Sequence, residues 1–183
     1  MPRFVVLLRG VNVGKSQRVP MAEFRAVLEG LGGTDVDTVL NSGNAVFGHR
    51  GRSAARHAQA IAAALHDRLG LDVPTVVIGA GDYRAALADN PLDIDAGEHA
   101  KCLLVLAQEP ATLVELEPLR SRLQAPERMV IGRHAAYLHC ANGILESKVA
   151  TALLGRAGRA VTTRNWATAL KLAQLLERAP PAA

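Results

Sequence analysis

Apolar positions along the chain fall into short runs that are separated by helical patterns. Residues 4–8 and 102–106 are apolar at every position. A strand with one face in water should alternate apolar and polar residues, so an unbroken run predicts a strand that is covered on both faces. We expect helices on one face of each sheet. The second half of the chain, a connecting helix or a partner chain should cover the other face.

The first half of the chain predicts the order β-α-β-β-α-β. Pro20 stands where prolines favour the start of a helix, and Ser53 is a typical cap for the next one. Residues 41–44 (Asn-Ser-Gly-Asn) predict a tight turn between two strands. The predicted strands are 4–9, 35–40, 45–48 and 73–78, and the predicted helices are 20–31 and 53–69.

The same order is predicted again after residue 100. A helix over 82–89 and a polar connector over 93–100 come first. In this prediction Thr162 or Thr163 caps the last helix, whose first turn contains Arg164, Asn165 and Trp166. The predicted strands are 101–107, 128–131, 136–139 and 159–162, and the predicted helices are 110–123, 146–154 and 163–178.

Two such units in tandem predict an α+β protein made of two ferredoxin-like halves. We place half one at 1–80, a linker helix and connector at 81–99, and half two with the C-terminal helix at 100–183. A sheet of the RNA-recognition type needs exposed aromatic residues on its open face. Phe4 and Phe47 would have to be these exposed aromatic residues, but the apolar run around Phe4 indicates that they lie in the core.

Composition narrows the class of protein. The chain has 183 residues, of which 49% are hydrophobic, and two cysteines. This apolar content excludes a disordered chain, and the apolar runs are too short for a membrane helix. The N-terminus lacks the pattern of a signal peptide, so we expect a cytoplasmic protein without membrane contact. Two cysteines predict neither a disulfide framework nor a zinc site, and no metal or cofactor is predicted.

The positive charge is concentrated near the C-terminus. The formal net charge is +4, and residues 141–183 contain six Lys or Arg against two Glu. Two interpretations stay open: a surface that attracts anions such as nucleotides or nucleic acid, or a solvated helical face that keeps the protein soluble. The modest size of the charge favours the second.

Four separated motifs, in order, resemble the domain-of-unknown-function 1697 family. They are Leu-Arg-Gly-Val-Asn-Val-Gly at 8–14, Val-Pro-Met at 19–21, the turn at 41–44, and Thr-Thr-Arg-Asn-Trp at 162–166. The resemblance runs from about residue 4 to about residue 176 and implies a bacterial α/β protein. It brings no established activity, cofactor or catalytic residue. The chain departs from the family pattern at Lys15 and Ser16, where a second glycine is usual.

The glycine-rich segment 10–16 differs from a P-loop. A P-loop has four residues between its glycines, whereas Gly10 and Gly14 are separated by three. The helix begins at Pro20, too late for its N–H groups to meet phosphates held by Lys15. The segment can still form an anion nest, or the glycines can simply allow the turn.

Two polar loops should meet at one edge of the first sheet. The first and second strands of a β-α-β-β-α-β unit run in the same direction, so the loops that follow them lie together. An Arg in this position can hold a phosphate or carboxylate, and amide and hydroxyl groups add further hydrogen bonds. Turn formation alone is the alternative explanation for the hairpin residues. The predicted ligand-binding side chains are Arg9, Asn12, Lys15, Asn41, Ser42 and Asn44.

A third polar cluster lies at residues 164–166. An Arg in the first turn of a helix opposes the helix dipole, so Arg164 needs an acidic partner or an anionic ligand. Asn165 adds an amide. Trp166, the single tryptophan, can stack on a base or anchor the last helix on the core. We include these residues in the predicted binding set.

Three functional hypotheses follow. The first is binding of an anionic ligand, a nucleotide or a nucleic-acid phosphate, at the edge formed by the two loops. The second is an enzyme that acts on a phosphorylated or carboxylated metabolite there, although the sequence identifies no general base and no catalytic residue. The third is a scaffold or homo-oligomer whose covered sheet face is a subunit interface.

Overall fold

The computed structural model describes residues 1–12 and 17–178. Lys15, one of the predicted ligand-binding residues, lies outside the described residues. The chain forms two compact units. Unit one comprises residues 1–83 together with the end of the last helix from Lys171, and unit two comprises residues 84–170.

Unit one contains a four-stranded sheet with two helices. The sheet order is β2-β3-β1-β4, and every neighbouring pair is antiparallel. Ser53 caps the second helix by accepting a hydrogen bond from the N–H of Arg56, and Gly70 ends it in a left-handed conformation. The elements are β1 (Arg3–Leu8), α1 (Met21–Gly30), β2 (Thr34–Val39), β3 (Asn44–Gly48), α2 (Ala54–Leu69) and β4 (Thr75–Gly79).

The second sheet repeats this arrangement with the order β6-β7-β5-β8. The matching strand orders confirm an α+β fold with two similar, ferredoxin-like halves. The elements are α3 (Ala80–Ala88), β5 (Cys102–Ala107), β6 (Arg128–Ile131), β7 (Ala136–His139), α4 (Lys148–Leu154), β8 (Val161–Asn165) and α5 (Trp166–Glu177). Short 3₁₀ helices cover Ala96–Lys101, Pro110–Arg122 and Arg156–Gly158.

Both faces of the central strands are covered, as their unbroken apolar runs predict. Phe4, Val6 and Leu8 belong to a core shared with α1 and α2. Val5 and Leu7, on the opposite face of β1, are also completely buried. β5 shows the same pattern in unit two. Among the described residues, no helix has the length and apolar character needed to cross a membrane.

The segment 110–122 differs from the α-helix pattern that its ends suggest. It is a 3₁₀ helix that contains Pro118. A proline inside a helix supplies no backbone N–H and disfavours continuous α-helical bonding. Leu113, Leu116 and Leu119 are nevertheless buried, each three residues after the last. Their spacing matches the three-residue repeat of a 3₁₀ helix.

The prediction for the start of the last helix was wrong. Thr162 and Thr163 do not cap it, because both lie in β8 and pair with β5. Arg164 and Asn165 end that strand instead of forming the first turn of α5. β-branched residues favour strands, and pairing with a buried strand outweighs their weaker capping preference. The Asn165 side chain accepts the cap bond instead, at 2.9 Å from the N–H of Thr168.

Candidate anion-binding pocket

The loop after β1 and the β2–β3 turn meet at one edge of unit one. β1 and β2 run in the same direction because both are antiparallel to β3. The Leu8 N–H donates to the Gly43 carbonyl at 2.8 Å, and the Asn12 side-chain amide donates to the Asn41 carbonyl at 2.6 Å. The two polar loops therefore contact each other directly.

Asn12 fastens the first loop to its surroundings. Its Nδ2 also donates to the Val19 carbonyl at 2.9 Å, and its Oδ1 accepts from the Val19 N–H at 3.0 Å. Its φ of 57° is in the left-handed region, which asparagine adopts more readily than most residues. Both amide hydrogens are thus committed to the protein. Asn12 positions the loop, and only its Oδ1 retains capacity for a ligand.

The hairpin turn divides its residues between structure and surface. Gly43 has a φ of 72°, and a Cβ there would lie 2.6 Å from the Cβ of Leu8. Asn44 is completely buried, and its amide donates to Ser42 Oγ and to the Val39 carbonyl. Gly43 and Asn44 therefore hold the turn together. Asn41 and Ser42 remain exposed on its surface.

A surface pocket of about 440 Å³ lies where the two loops meet, and we call it the loop–hairpin pocket. Its volume falls within the usual range for small-molecule sites. All of its described lining belongs to unit one: Asn12, Arg18, Val19, Pro20, Met21 and Asn41. The pocket thus combines one cation and two amide side chains with the start of α1.

Arg18 is the cation among the described residues of this pocket, and we did not predict it from the sequence. The guanidinium is exposed and has no hydrogen bond or ion pair within residues 1–12 and 17–178. A usable signal was present in the sequence, because Arg18 stands two residues before the proline that opens α1. Arg9, which was identified, is half-buried and is not among the described lining; its backbone N–H donates to the Pro74 carbonyl at 2.9 Å.

The third predicted cluster, residues 164–166, lies in unit two, and its side chains contact neighbouring residues of that unit. The Arg164 guanidinium donates to Thr162 Oγ1 at 2.9 Å and to the Thr163 carbonyl at 2.6 Å. Trp166 is 9% exposed, and its ring meets Tyr137 edge-on with centroids 6.5 Å apart. Trp166 therefore packs the start of α5 on the core.

Unit two contains a charged cluster of Glu98, Lys101 and His139. Glu98 accepts from Lys101 at 2.9 Å and from His139 at 3.1 Å. Both hydrogen bonds lower the pKa of Glu98 from its ordinary value, and the bond from Lys101 has the larger effect. Cys102 and Cys140 are fully buried, and burial raises the pKa of each thiol to about 11. Neither cysteine has the properties of an activated nucleophile.

Comparison with known proteins places the chain in a family. A family model described as "Protein of unknown function (DUF1697)" matches residues 1–137. The chain belongs to this family. The DUF1697 match includes the first loop and the hairpin, and residues 162–166 lie beyond it.

A solved structure supports the fold across almost the whole chain. It is that of the conserved bacterial protein SP0830 from Streptococcus pneumoniae, with a TM-score of 0.78 and 23% sequence identity. The similarity covers 96% of this chain and 99% of that one. No curated protein matches the chain.

Proposed function

We propose that this DUF1697 protein binds a phosphate-bearing ligand of mononucleotide size in the loop–hairpin pocket. The observation that carries the proposal is the exposed Arg18 guanidinium, which has no partner in the described part of the chain and lines the same pocket as Asn12 and Asn41. Arg binds phosphate through paired, charge-assisted hydrogen bonds.

The start of α1 adds to the positive potential. The helix has ten residues, begins at Met21 and receives no side-chain cap at Pro20. The free N–H groups and the dipole of a helix N-terminus favour an anion. Glu23 opposes this effect from the first turn, but its carboxylate is paired with Arg68 on α2. The balance of charge at the pocket therefore remains positive.

The described residues of the two loops supply a preformed wall. One side-chain hydrogen bond of Asn12 joins the loop to Asn41 of the hairpin, and two more tie Asn12 to Val19 at the far end of the same loop. Leu40, beside Asn41, has a φ of 57°. The residue is also 55% exposed, so burial of its side chain does not account for this backbone conformation. A left-handed leucine is strained, and strain of this kind is concentrated at functional sites. A wall that is already ordered reduces the entropy lost when a ligand binds.

The size and chemistry of the pocket favour a small ligand and binding over catalysis. Pro20 and Met21 give it an apolar side that suits a sugar or base, while Arg18 suits the phosphate. The six described lining residues include no carboxylate, histidine or thiol that could act as a general base. We therefore favour recognition of a mononucleotide over an enzymatic role.

The test is a titration followed by NMR at the side-chain amides of Asn12 and Asn41. AMP and inorganic phosphate should shift these signals, and adenosine, which lacks the phosphate, should bind more weakly. Arg18→Gln should weaken AMP binding about tenfold or more, because a hydrogen bond to a charged group contributes about 1.5–3 kcal/mol. Arg50→Gln, at another exposed arginine of unit one, is the matched control and should leave binding unchanged.

Two results would contradict the proposal. One is the absence of any shift with AMP or phosphate at millimolar concentration. The other is equal affinity of the Arg18→Gln variant and the wild type. A steep salt dependence with a single-stranded oligonucleotide, about 0.7 in logarithmic slope for each phosphate contacted, would instead assign the pocket to nucleic acid.

A further inference from the structure

A second pocket of unit one lies between α1, β3 and the start of α2, on residues that no predicted site includes. Its volume is about 240 Å³, and we call it the histidine pocket. Its floor consists of Leu28, Phe47 and Ile61, and its polar lining consists of His49, Arg56 and His57. We propose that the histidine pocket binds a short apolar carboxylate, with the chain on the floor and the carboxylate on Arg56.

The floor is apolar and firmly packed. The three floor residues are each 2% exposed or less, and Leu31, which also lines the pocket and is 38% exposed, supplies accessible apolar surface beside them. The Phe47 ring also contacts His57 edge-on, with centroids 5.8 Å apart. At about 30 Å³ for each water, the cavity holds about eight water-sized groups. It therefore suits a chain of five or six carbons with a polar head, and is too small for a nucleotide.

Backbone groups hold both imidazole rings in place. His49 Nδ1 accepts from the Gly51 N–H at 2.8 Å, so its Nε2, 3.2 Å from the Leu31 carbonyl, must carry the proton. His57 Nε2 donates to the Gly51 carbonyl at 3.1 Å. The two rings meet edge-on at 4.4 Å. Backbone groups therefore orient both rings, and Arg56 supplies the guanidinium of the described lining.

The charge around the pocket is unbalanced. Residues 49–57 contain three Arg and two His but no Asp or Glu. Arg56 is exposed in the first turn of the 16-residue α2, and its guanidinium has no hydrogen bond or ion pair in the part of the chain that the structure describes. Arg and a carboxylate form two parallel hydrogen bonds, and the N-terminus of α2 favours the same charge.

The opposing groups are already occupied. The C-terminal end of α1 would repel an anion, but the Leu31 carbonyl faces the His49 ring. Glu29, the acidic residue of that last turn, lies 3.9 Å from Arg25. An apolar floor below an unpaired guanidinium therefore selects a ligand with one negative charge and a hydrocarbon body.

The experiment compares hexanoate, hexanamide and acetate in NMR titrations of the methyl groups of Leu28, Leu31 and Ile61. Hexanamide has the shape of hexanoate without the charge, and acetate has the charge without the chain. Hexanoate should shift the signals of the pocket methyl groups to saturation. Hexanamide and acetate should each bind at least about tenfold more weakly than hexanoate. Arg56→Gln should weaken hexanoate about tenfold and leave hexanamide unchanged.

Two further variants locate the ligand. Ala60 is exposed on α2 and lines the pocket, so Ala60→Leu should fill the space and abolish hexanoate binding without loss of the fold. Arg52→Gln, from the same basic segment but outside the lining, should have no effect. Equal affinity for hexanoate and hexanamide, unchanged binding to Arg56→Gln, or shifts that avoid the three methyl-bearing residues would overturn the proposal. Arg18→Gln should not change hexanoate affinity, so this inference and the nucleotide proposal fail independently.

Discussion

Replacing Asn12 by alanine should loosen the edge on which the loop–hairpin pocket depends. The substitution removes three side-chain hydrogen bonds: one of 2.6 Å that joins the loop to Asn41 of the hairpin, and two of 2.9 and 3.0 Å that tie Asn12 to Val19 within the loop. It also leaves alanine at a φ of 57°, where asparagine is better tolerated. The damage therefore has a hydrogen-bonding part and a backbone part.

The expected loss of stability is about 3 kcal/mol. A typical hydrogen bond contributes about 1 kcal/mol net, and because Asn12 is exposed, water partly replaces these three, leaving about 2 kcal/mol. The left-handed backbone adds about 1 kcal/mol for alanine. For a chain of this size, each kcal/mol lowers the melting temperature by about 2–4 °C.

Urea unfolding followed by far-UV circular dichroism measures the loss of stability. Tryptophan fluorescence is unsuitable, because Trp166 lies in unit two whereas Asn12 lies in unit one. Amide hydrogen exchange adds a local reading. The Leu8 N–H donates to the Gly43 carbonyl of the hairpin. Its protection against hydrogen exchange should therefore fall about a hundredfold for a 3 kcal/mol loss of stability. Asn142→Ala is the control, since that exposed side chain makes no hydrogen bond among the described residues.

A loss below about 0.5 kcal/mol, close to that of the Asn142→Ala control, would refute the assigned role. Unchanged protection of the Leu8 amide would do the same. Either result would mean that the loop and hairpin stay together without the Asn12 side chain.

Three other predictions test the packing and the charges. Gly43→Ala should destabilise the protein by about 1–3 kcal/mol more than Gly70→Ala in urea unfolding, because both glycines have positive φ but only the first would place a Cβ against a buried leucine; equal losses would contradict this. Cys102 and Cys140, buried and with pKa values raised to about 11, should resist alkylation at pH 8 in the native protein and react after unfolding, as mass spectrometry can measure. The pKa of Glu98 is lowered in the folded state, so its contribution to stability is present above the unfolded pKa of about 4.3 and is lost as the pH falls further. Glu98→Gln should therefore unfold more readily than the wild type at pH 6, and the difference should shrink toward pH 3; a constant difference would argue against the ion pair.

Local signals in the sequence were enough to predict the order of helices and strands. Unbroken apolar runs correspond to β1 and β5, Ser53 caps α2 and Gly70 ends it. These features act within a few neighbouring residues, so their physical effect is visible without the fold. The repeat of the β-α-β-β-α-β order then predicted two similar halves, and the strand orders confirm them.

The end of the chain shows where local signals conflict. Thr162 and Thr163 are both acceptable helix caps and good strand residues, and we predicted the cap. Pairing with β5 decides the matter, because the backbone of a buried strand must find its hydrogen-bond partners. Residues that are distant in sequence supply those partners, so no local pattern contains the answer.

The sequence by itself determined that the first loop and the hairpin lie at one sheet edge, since strand direction follows from the order of the elements. Only the tertiary structure decided what each side chain does there. The Asn12 amide donates a hydrogen bond to the Asn41 carbonyl and so joins the loop to the hairpin. Asn44 is enclosed in the turn, and Arg18 lines the pocket. The physical reason is that a polar group is used by whatever donor or acceptor the fold brings beside it. For Asn12 one such partner is 29 residues away along the chain.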